Sequence, residues 1–284
     1  MSKVPDSIDP QQLSVVARRV LLDGLEALRD HLEAITVVGA QAVYLRSTEA
    51  AVSAAAYTSD GDLGLDPCLL EDEPLLGNAL RCAGFELLRP DQPGLWGRAE
   101  SVHGVETSVE LDLLVGSSLV PGGRGARIPP HDKTAVRRVP GIETAVVDRS
   151  RLTISALEES DGRKMSVYVA GTAALLVAKA YKLKDRFDDS TTKPHRLVDK
   201  DAGDVFRLMS VTRPADVAAC FRSLIANERV GKVTETGLGY LHELFGGAEA
   251  PGVRLAISAL AGAVPAARIR TLAPAYVRGL PGSL

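Results

Sequence analysis

The sequence predicts an α+β amino-terminal domain followed by a helical carboxy-terminal one. Two observations carry that expectation. Short β-branched or alternating segments recur through the first 170 residues, and from Gly171 onward the apolar residues recur at threes and fours. A chain of 284 residues is long enough for two modest domains, expected here at 1–170 and 171–284.

Asp9-Pro10 opens the first helix, with proline at a tolerated first-turn position. Leu13, Val16, Val20, Leu21, Leu25, Leu28 and Leu32 give it one buried face. Ile35-Thr36-Val37-Val38 reads as a strand that turns through Gly39-Ala40 into a helix over Gln41 to Arg46. Such a turn places backbone N–H groups where a phosphate can sit, although many α/β turns of this kind serve packing alone. A second strand is expected over Tyr57 to Leu65 and a helix over Leu69 to Cys82, with strands over Phe85 to Leu88 and around Trp96. TSVELDLLV, Thr107 to Val115, is the clearest strand. Its alternation puts Glu110, Asp112 and Leu114 on one face and Val109, Leu111 and Leu113 on the other. After a Gly/Pro/Arg loop at Pro121 to Pro130, further strands are expected at Thr144 to Val147, Leu152 to Ser155 and Ser166 to Val169. Helices follow at Thr172 to Arg186, Lys200 to Ser210 and Pro214 to Asn227, with two or three more up to Val277.

Composition narrows the function classes. Lys plus Arg number 33 and Asp plus Glu 36, a formal charge of −3, which argues against a surface wholly devoted to nucleic acid but leaves room for basic patches. Aromatics at 4% are too few for stacking platforms to dominate. Cys68, Cys82 and Cys220 form no CxxC and sit beside no histidine, so neither a disulfide framework nor a structural zinc site is expected. Met1 to Asp6 lacks the apolar core of a signal peptide, and the apolar run Leu255 to Ala267 is too short for a bilayer, reading as a buried helix with a turn at Pro265. The expectation is a cytoplasmic protein with no membrane partner.

The informative constellation is Ser59-Asp60-Gly61-Asp62, followed fifty residues later by Glu110-Leu111-Asp112. On a strand Asp60 and Asp62 point the same way, roughly 7 Å apart along the chain. A third carboxylate from a neighbouring strand would complete an oxygen-rich site suited to Mg²⁺, which bridges to substrate phosphates. A DxD on an exposed strand is also simply solvated charge; the apolar context here (Ala54 to Tyr57, Leu63, Leu65) favours a counter-ion, because burying carboxylates alone is costly. In LLVAKAYKLKDR, Lys179, Lys182 and Arg186 share a helical face and could neutralise triphosphate charge, or be surface cations. Asp201, after Lys200 at a helix start and with Asp204 one turn on, could complement the helix dipole or act as a cap.

These motifs, from VVGAQAVYL through TSDGDL, VELDLLV and LLVAKAYKL to KDAGDV, resemble the AbiEii/MenT-type nucleotidyltransferases, a toxin branch of the polymerase-β-like superfamily. The resemblance covers roughly residues 35 to 210. It departs where the turn reads GA rather than GS or GG, where Lys179 is followed by Ala-Tyr, and in the longer insert between Gly39 and Asp60. The resemblance implies a mixed sheet flanked by helices, then a helical domain contributing Lys179 and Asp201 to the cleft. Asp60 and Asp62 would hold Mg²⁺, with Asp112 as third carboxylate or base and Glu110 as the alternative to it. Gly39, Ala40 and Ser59 would contact the nucleotide, Lys179 and Lys182 the triphosphate, and Asp201 would orient the lysine. The implied reaction transfers a nucleoside monophosphate from an NTP, a pyrimidine NTP by resemblance, to the 3′ end of tRNA, within a toxin–antitoxin system whose antitoxin is a separate protein. Arg124, Arg127, Lys133, Arg137 and Arg138, together with Lys179, Lys182, Lys184, Arg186, Lys193, His195 and Arg196, are candidate RNA contacts or surface charge balance. Transfer to a small molecule such as an aminoglycoside, transfer to a protein hydroxyl, and an inactive nucleotide-binding module are the alternatives.

Overall fold

The computed structural model describes residues 9–47, 58–102 and 104–282. The chain groups into two compact units. The first comprises residues 1–41, 55–139 and 149–170, and the second residues 42–54, 140–148 and 171–284. The segments 42–54 and 140–148 thus group with the helical part rather than falling before a single cut at residue 170. Among the described residues no helix is long and apolar enough to cross a membrane.

The first unit is α+β, built on a mixed sheet. Its strands are β1 (Ile35–Val38), β2 (Asp60–Leu65), β3 (Glu86–Leu87), β4 (Leu95–Val102), β5 (Val105–Gly116), β6 (Arg137–Val139), β7 (Arg149–Ser155) and β8 (Lys164–Ala170). They run β3-β4-β5-β2-β1-β8-β7, with β6 paired to β5 beyond the start of β4. The β2–β5, β1–β8 and β5–β6 pairs are parallel; the others are antiparallel.

Helix α1 (Pro10–Ala27) starts where Asp9 caps the Gln11 N–H, and it lays its apolar stripe on one sheet face. Leu21 sits against Gly61, and Gly24 against Leu111, where an added Cβ would lie 2.5 Å from the leucine. Gly61, Leu63, Leu65, Val109, Leu111 and Leu113 therefore face the helix, and the alternate residues of β2 and β5 face the other way. The alternation expected for β5 is observed from Val105 to Leu113, after which Leu114, Val115 and Gly116 are all buried.

Three expectations are corrected. Helix α3 covers only Leu76–Cys82, not Leu69 to Cys82. Pro74 disfavours helical backbone at Glu73, and His131 ties down the preceding turn by bonding the Glu71 carbonyl and accepting the Leu76 N–H. Thr144 to Val147 is not a strand: Glu143–Val146 forms a short 3₁₀ helix, and the buried Glu143 carboxylate accepts the Gly141 N–H. Helix α2 (Gly39–Arg46) begins two residues before Gln41. The second strand starts at Asp60, and the expected start at Tyr57, like the Ala54 to Tyr57 context, lies outside the described residues.

The second unit packs α4 (Thr172–Asp188), α5 (Lys200–Val211), α6 (Pro214–Ile225), α7 (Gly231–Phe245), α8 (Pro251–Ala259) and α9 (Ala266–Arg278) around Phe206, Phe221, Phe245, Leu241 and Leu244. Gly237 lets α7 approach Val177 of α4, and Tyr181 and Tyr240 meet edge to face at 5.1 Å. The run Leu255 to Ala267 spans the end of α8, a turn ending at Pro265 and the start of α9.

Candidate active site

Four carboxylates line up on the sheet face turned away from α1. Strands β2 and β5 are parallel and in register, with Asp60 opposite Glu110 and Asp62 opposite Asp112. Paired residues share a face, and all four are half-buried. The TSDGDL and VELDLLV motifs, fifty residues apart, are thereby brought to adjacent strands.

Asp60, Asp62 and Asp112 each have a local support. Thr58 donates its hydroxyl to Asp60 Oδ1, and the Thr58 N–H is held by Ser14 Oγ at 3.1 Å. Gln41 donates to the Asp60 carbonyl at 3.2 Å and accepts from Arg18 Nε at 2.8 Å, bracing the start of β2 against α1. The Asp62 carboxylate rests against Gly39, whose φ of +67° opens the first turn of α2. A Cβ at Gly39 would fall 1.9 Å from Asp62 Oδ2, so the space that the glycine leaves is taken by the aspartate. Ala40 is buried in the same turn. Asp112 Oδ2 accepts from Arg137 on β6 at 2.7 Å.

Beside this row lies a cleft of about 320 Å³, lined by Leu13, Ser59, Leu88, Arg89, Leu95, Thr107, Ser108 and Glu110. Leu95 is the register partner of Asp112, and Leu88 folds over Gly97, the partner of Glu110. The cleft therefore joins an apolar wall to the Glu110 end of the row. Its volume is at the lower end of the range that holds small organic ligands.

The donor set suits Mg²⁺: hard oxygens from strands on one face, with Asp62 seated in the cradle that Gly39 leaves open. Among the described residues no group of three or more His, Cys, Asp or Glu side chains is drawn together as a metal cluster. Asp60 and Asp62 are the pair that would hold the ion, with Asp112 adjoining and one of its oxygens on Arg137.

The second unit holds a separate ionic cluster. Lys179 is buried and its Nζ donates to Asp201 Oδ1 at 2.6 Å and Asp204 Oδ2 at 2.7 Å. Lys182 and Arg186 reach Asp201 at 3.2 and 2.8 Å, so the three cations read onto one face of α4 converge on one carboxylate. Burial opposes the charge on Lys179, but the two aspartates outweigh it and hold the ammonium well above its usual range. Burial likewise opposes ionisation of Asp201, and Lys179, Lys182 and Arg186 hold it well below the usual carboxylate range. The Lys179 ammonium thus already has two carboxylate partners. Lys182 is the more exposed of the two candidate triphosphate lysines, its side chain 48% accessible.

The basic residues divide. Arg138 turns its guanidinium to the carbonyls of Ser117, Gly122 and Gly123, pinning the Gly-rich loop; Arg124, Arg127 and Lys133 are exposed. In the second unit Lys184 pairs with Asp188 and Glu243, Lys193 with Asp189, and Arg196 with Asp185 and Asp189. Sequence reasoning missed Thr58, Gln41 and the role of Arg137; Gln41 and Arg137 act on partners whose position depends on strand order, whereas Thr58 bonds Asp60 two residues along the chain.

Comparison with protein-family models, curated proteins and solved structures finds no match to this chain.

Proposed function

We propose that this chain is a Mg²⁺-dependent nucleotidyltransferase. The observation that carries the reading is the register of β2 on β5, which sets Asp60, Asp62, Glu110 and Asp112 on one sheet face. The acceptor hydroxyl oxygen attacks the α-phosphorus of an NTP, the bond to the β-phosphate oxygen breaks, and pyrophosphate leaves. Bound Mg²⁺ would neutralise phosphate charge at Asp60 and Asp62. Thr58 and Gln41 hold Asp60 in place, Gly39 seats Asp62, and Asp112 would take the hydroxyl proton. The adjoining cleft would receive the nucleoside. Rate enhancement would come from positioning and charge neutralisation.

The finer reading, a toxin that modifies the 3′ end of tRNA with a pyrimidine nucleotide and is neutralised by a separate antitoxin, rests on the motif resemblance. Incubation with each α-³²P-labelled NTP, Mg²⁺ and total tRNA, beside Asp60→Ala, tests both levels. Label on tRNA that disappears in the variant supports the full reading. Mg²⁺-dependent label on protein or a small molecule keeps the transferase and removes the tRNA claim. The Asp112–Arg137 ion pair favours a second reading, an inactive nucleotide-binding module. NTP binding without transfer to any acceptor would select it.

A further inference from the structure

The carboxylate face carries a cation of its own. Arg137 comes from β6, a three-residue strand whose parallel pairing puts it opposite Leu114, on the same face as Asp112. From there Nη2 reaches back to Asp112 Oδ2 at 2.7 Å, with only 20% of the arginine side chain and 14% of the aspartate side chain accessible. The backbone is shaped for this placement. Gly94 has φ +73°, and a Cβ there would fall 2.5 Å from the Arg137 nitrogen and 2.4 Å from the Leu113 carbonyl oxygen. Gly125 forms an antiparallel bridge with Arg137 from the other side, and the next residue, Arg138, points the opposite way and locks the loop through its carbonyls. Two glycines and a pinned loop thus deliver one guanidinium to the acidic row.

We propose that Arg137 is a positioning residue and resident counter-ion of this face: it holds one oxygen of Asp112 and competes with a divalent cation for that carboxylate. The inference rests on the nucleotidyltransferase reading for the purpose of the face, but not for the competition itself. Two cations that share one carboxylate repel each other at short range, and a half-buried setting screens that repulsion only in part. Arg137 therefore keeps the row partly neutralised before metal binds and makes metal affinity weaker than four carboxylates alone would give.

The test is a MnCl₂ titration of the full chain followed by electron paramagnetic resonance, with a thermal melt of every variant. Arg137→Met is expected to bind Mn²⁺ about tenfold more tightly than the unmodified protein, and Arg137→Lys, which keeps the charge, to stay within about threefold of it. A purely structural role would instead loosen binding or leave it unchanged as the melt falls. A second comparison does not depend on how Arg137→Met folds. Asp112→Asn should weaken Mn²⁺ binding less than Asp62→Asn does, because Arg137 shares Asp112. Equal losses in those two variants, or Mn²⁺ binding by Arg137→Met no tighter than by the unmodified protein, would overturn the proposal while leaving the transferase reading intact. Absence of Mn²⁺ binding in every form, together with absence of nucleotide transfer, would remove both.

Discussion

Gly39 and Asp62 occupy each other's space: a Cβ on residue 39 would lie 1.9 Å from the Asp62 carboxylate oxygen, and Gly39 holds φ at +67°. Any side chain at 39 must displace the aspartate and accept a left-handed backbone. Gly39→Ala is expected to lower stability by about 1–3 kcal/mol and nucleotide transfer by about 100-fold or more, because small misplacements at a reacting centre are costly. Urea denaturation and the labelled transfer assay measure the two. A variant with unaltered transfer would show that Asp62 does not need this seat.

Lys179 pairs with the buried Asp204 and is one of three cations on Asp201. Lys179→Met strands the Asp204 charge and is expected to cost about 3–5 kcal/mol in urea denaturation. Adding Asp204→Asn should recover part of that loss, giving a positive coupling in a double-mutant cycle. A single-variant cost below about 1 kcal/mol would rule the cluster out as a structural centre.

The same cluster sets a pH window. Asp201 is held below its unfolded value, so its contribution is present above about pH 3.9 and is lost as pH falls through the folded value. Lys179 is held above its unfolded value, so its contribution is complete below about pH 10.4 and is lost as pH rises through the folded value. Between those limits the cluster contributes a flat term. Stability against pH, measured with and without Lys179→Met, should therefore show the variant losing the alkaline limb and keeping part of the acid limb, because Lys182 and Arg186 still pair with Asp201.

His131 adds a separate acid sensitivity. It donates from Nε2 to the Glu71 carbonyl and accepts the Leu76 N–H at Nδ1, so the bonded ring is neutral. Burial pushes its pKa down, helped by His31 at 5.8 Å, while the Glu71 carbonyl, Asp72 and Glu73 pull the other way. The unfolded chain then takes up the proton first, so stability should decline as pH falls below about 6.5. His131→Gln should abolish that part of the slope. An unchanged slope in the variant would place the sensitivity elsewhere.

Leu88 forms the apolar wall of the cleft beside Glu110. Leu88→Trp should fill it and weaken NTP binding about tenfold, while inorganic tripolyphosphate binds as before. Isothermal titration with both ligands separates the outcomes. Equal loss for both would place the nucleoside outside the cleft.

Much of this arrangement was legible along the chain. The alternation of TSVELDLLV identified β5 and placed Glu110 and Asp112 on one face, and the three-and-four spacing of Lys179, Lys182 and Arg186 identified a common helical face. Strand β6 was not legible, because three residues show no period and their pairing is set by glycines at 94 and 125. The expected helix from Leu69 overruns Pro74, a local stop, while the histidine 55 residues away that takes the Leu76 N–H is beyond any local pattern.

The sequence by itself determined the α+β class, the helical second half and the faces on which the acidic residues of β2 and β5 lie, since those follow from periods of 2 and 3.6 residues within single segments. Tertiary structure alone decided that β2 lies in parallel register on β5, that Asp62 is seated on Gly39, that Lys179 is closed between two aspartates and that Arg137 reaches Asp112. Those relations depend on strand order, register and close backbone approach between distant segments, and no local pattern encodes them.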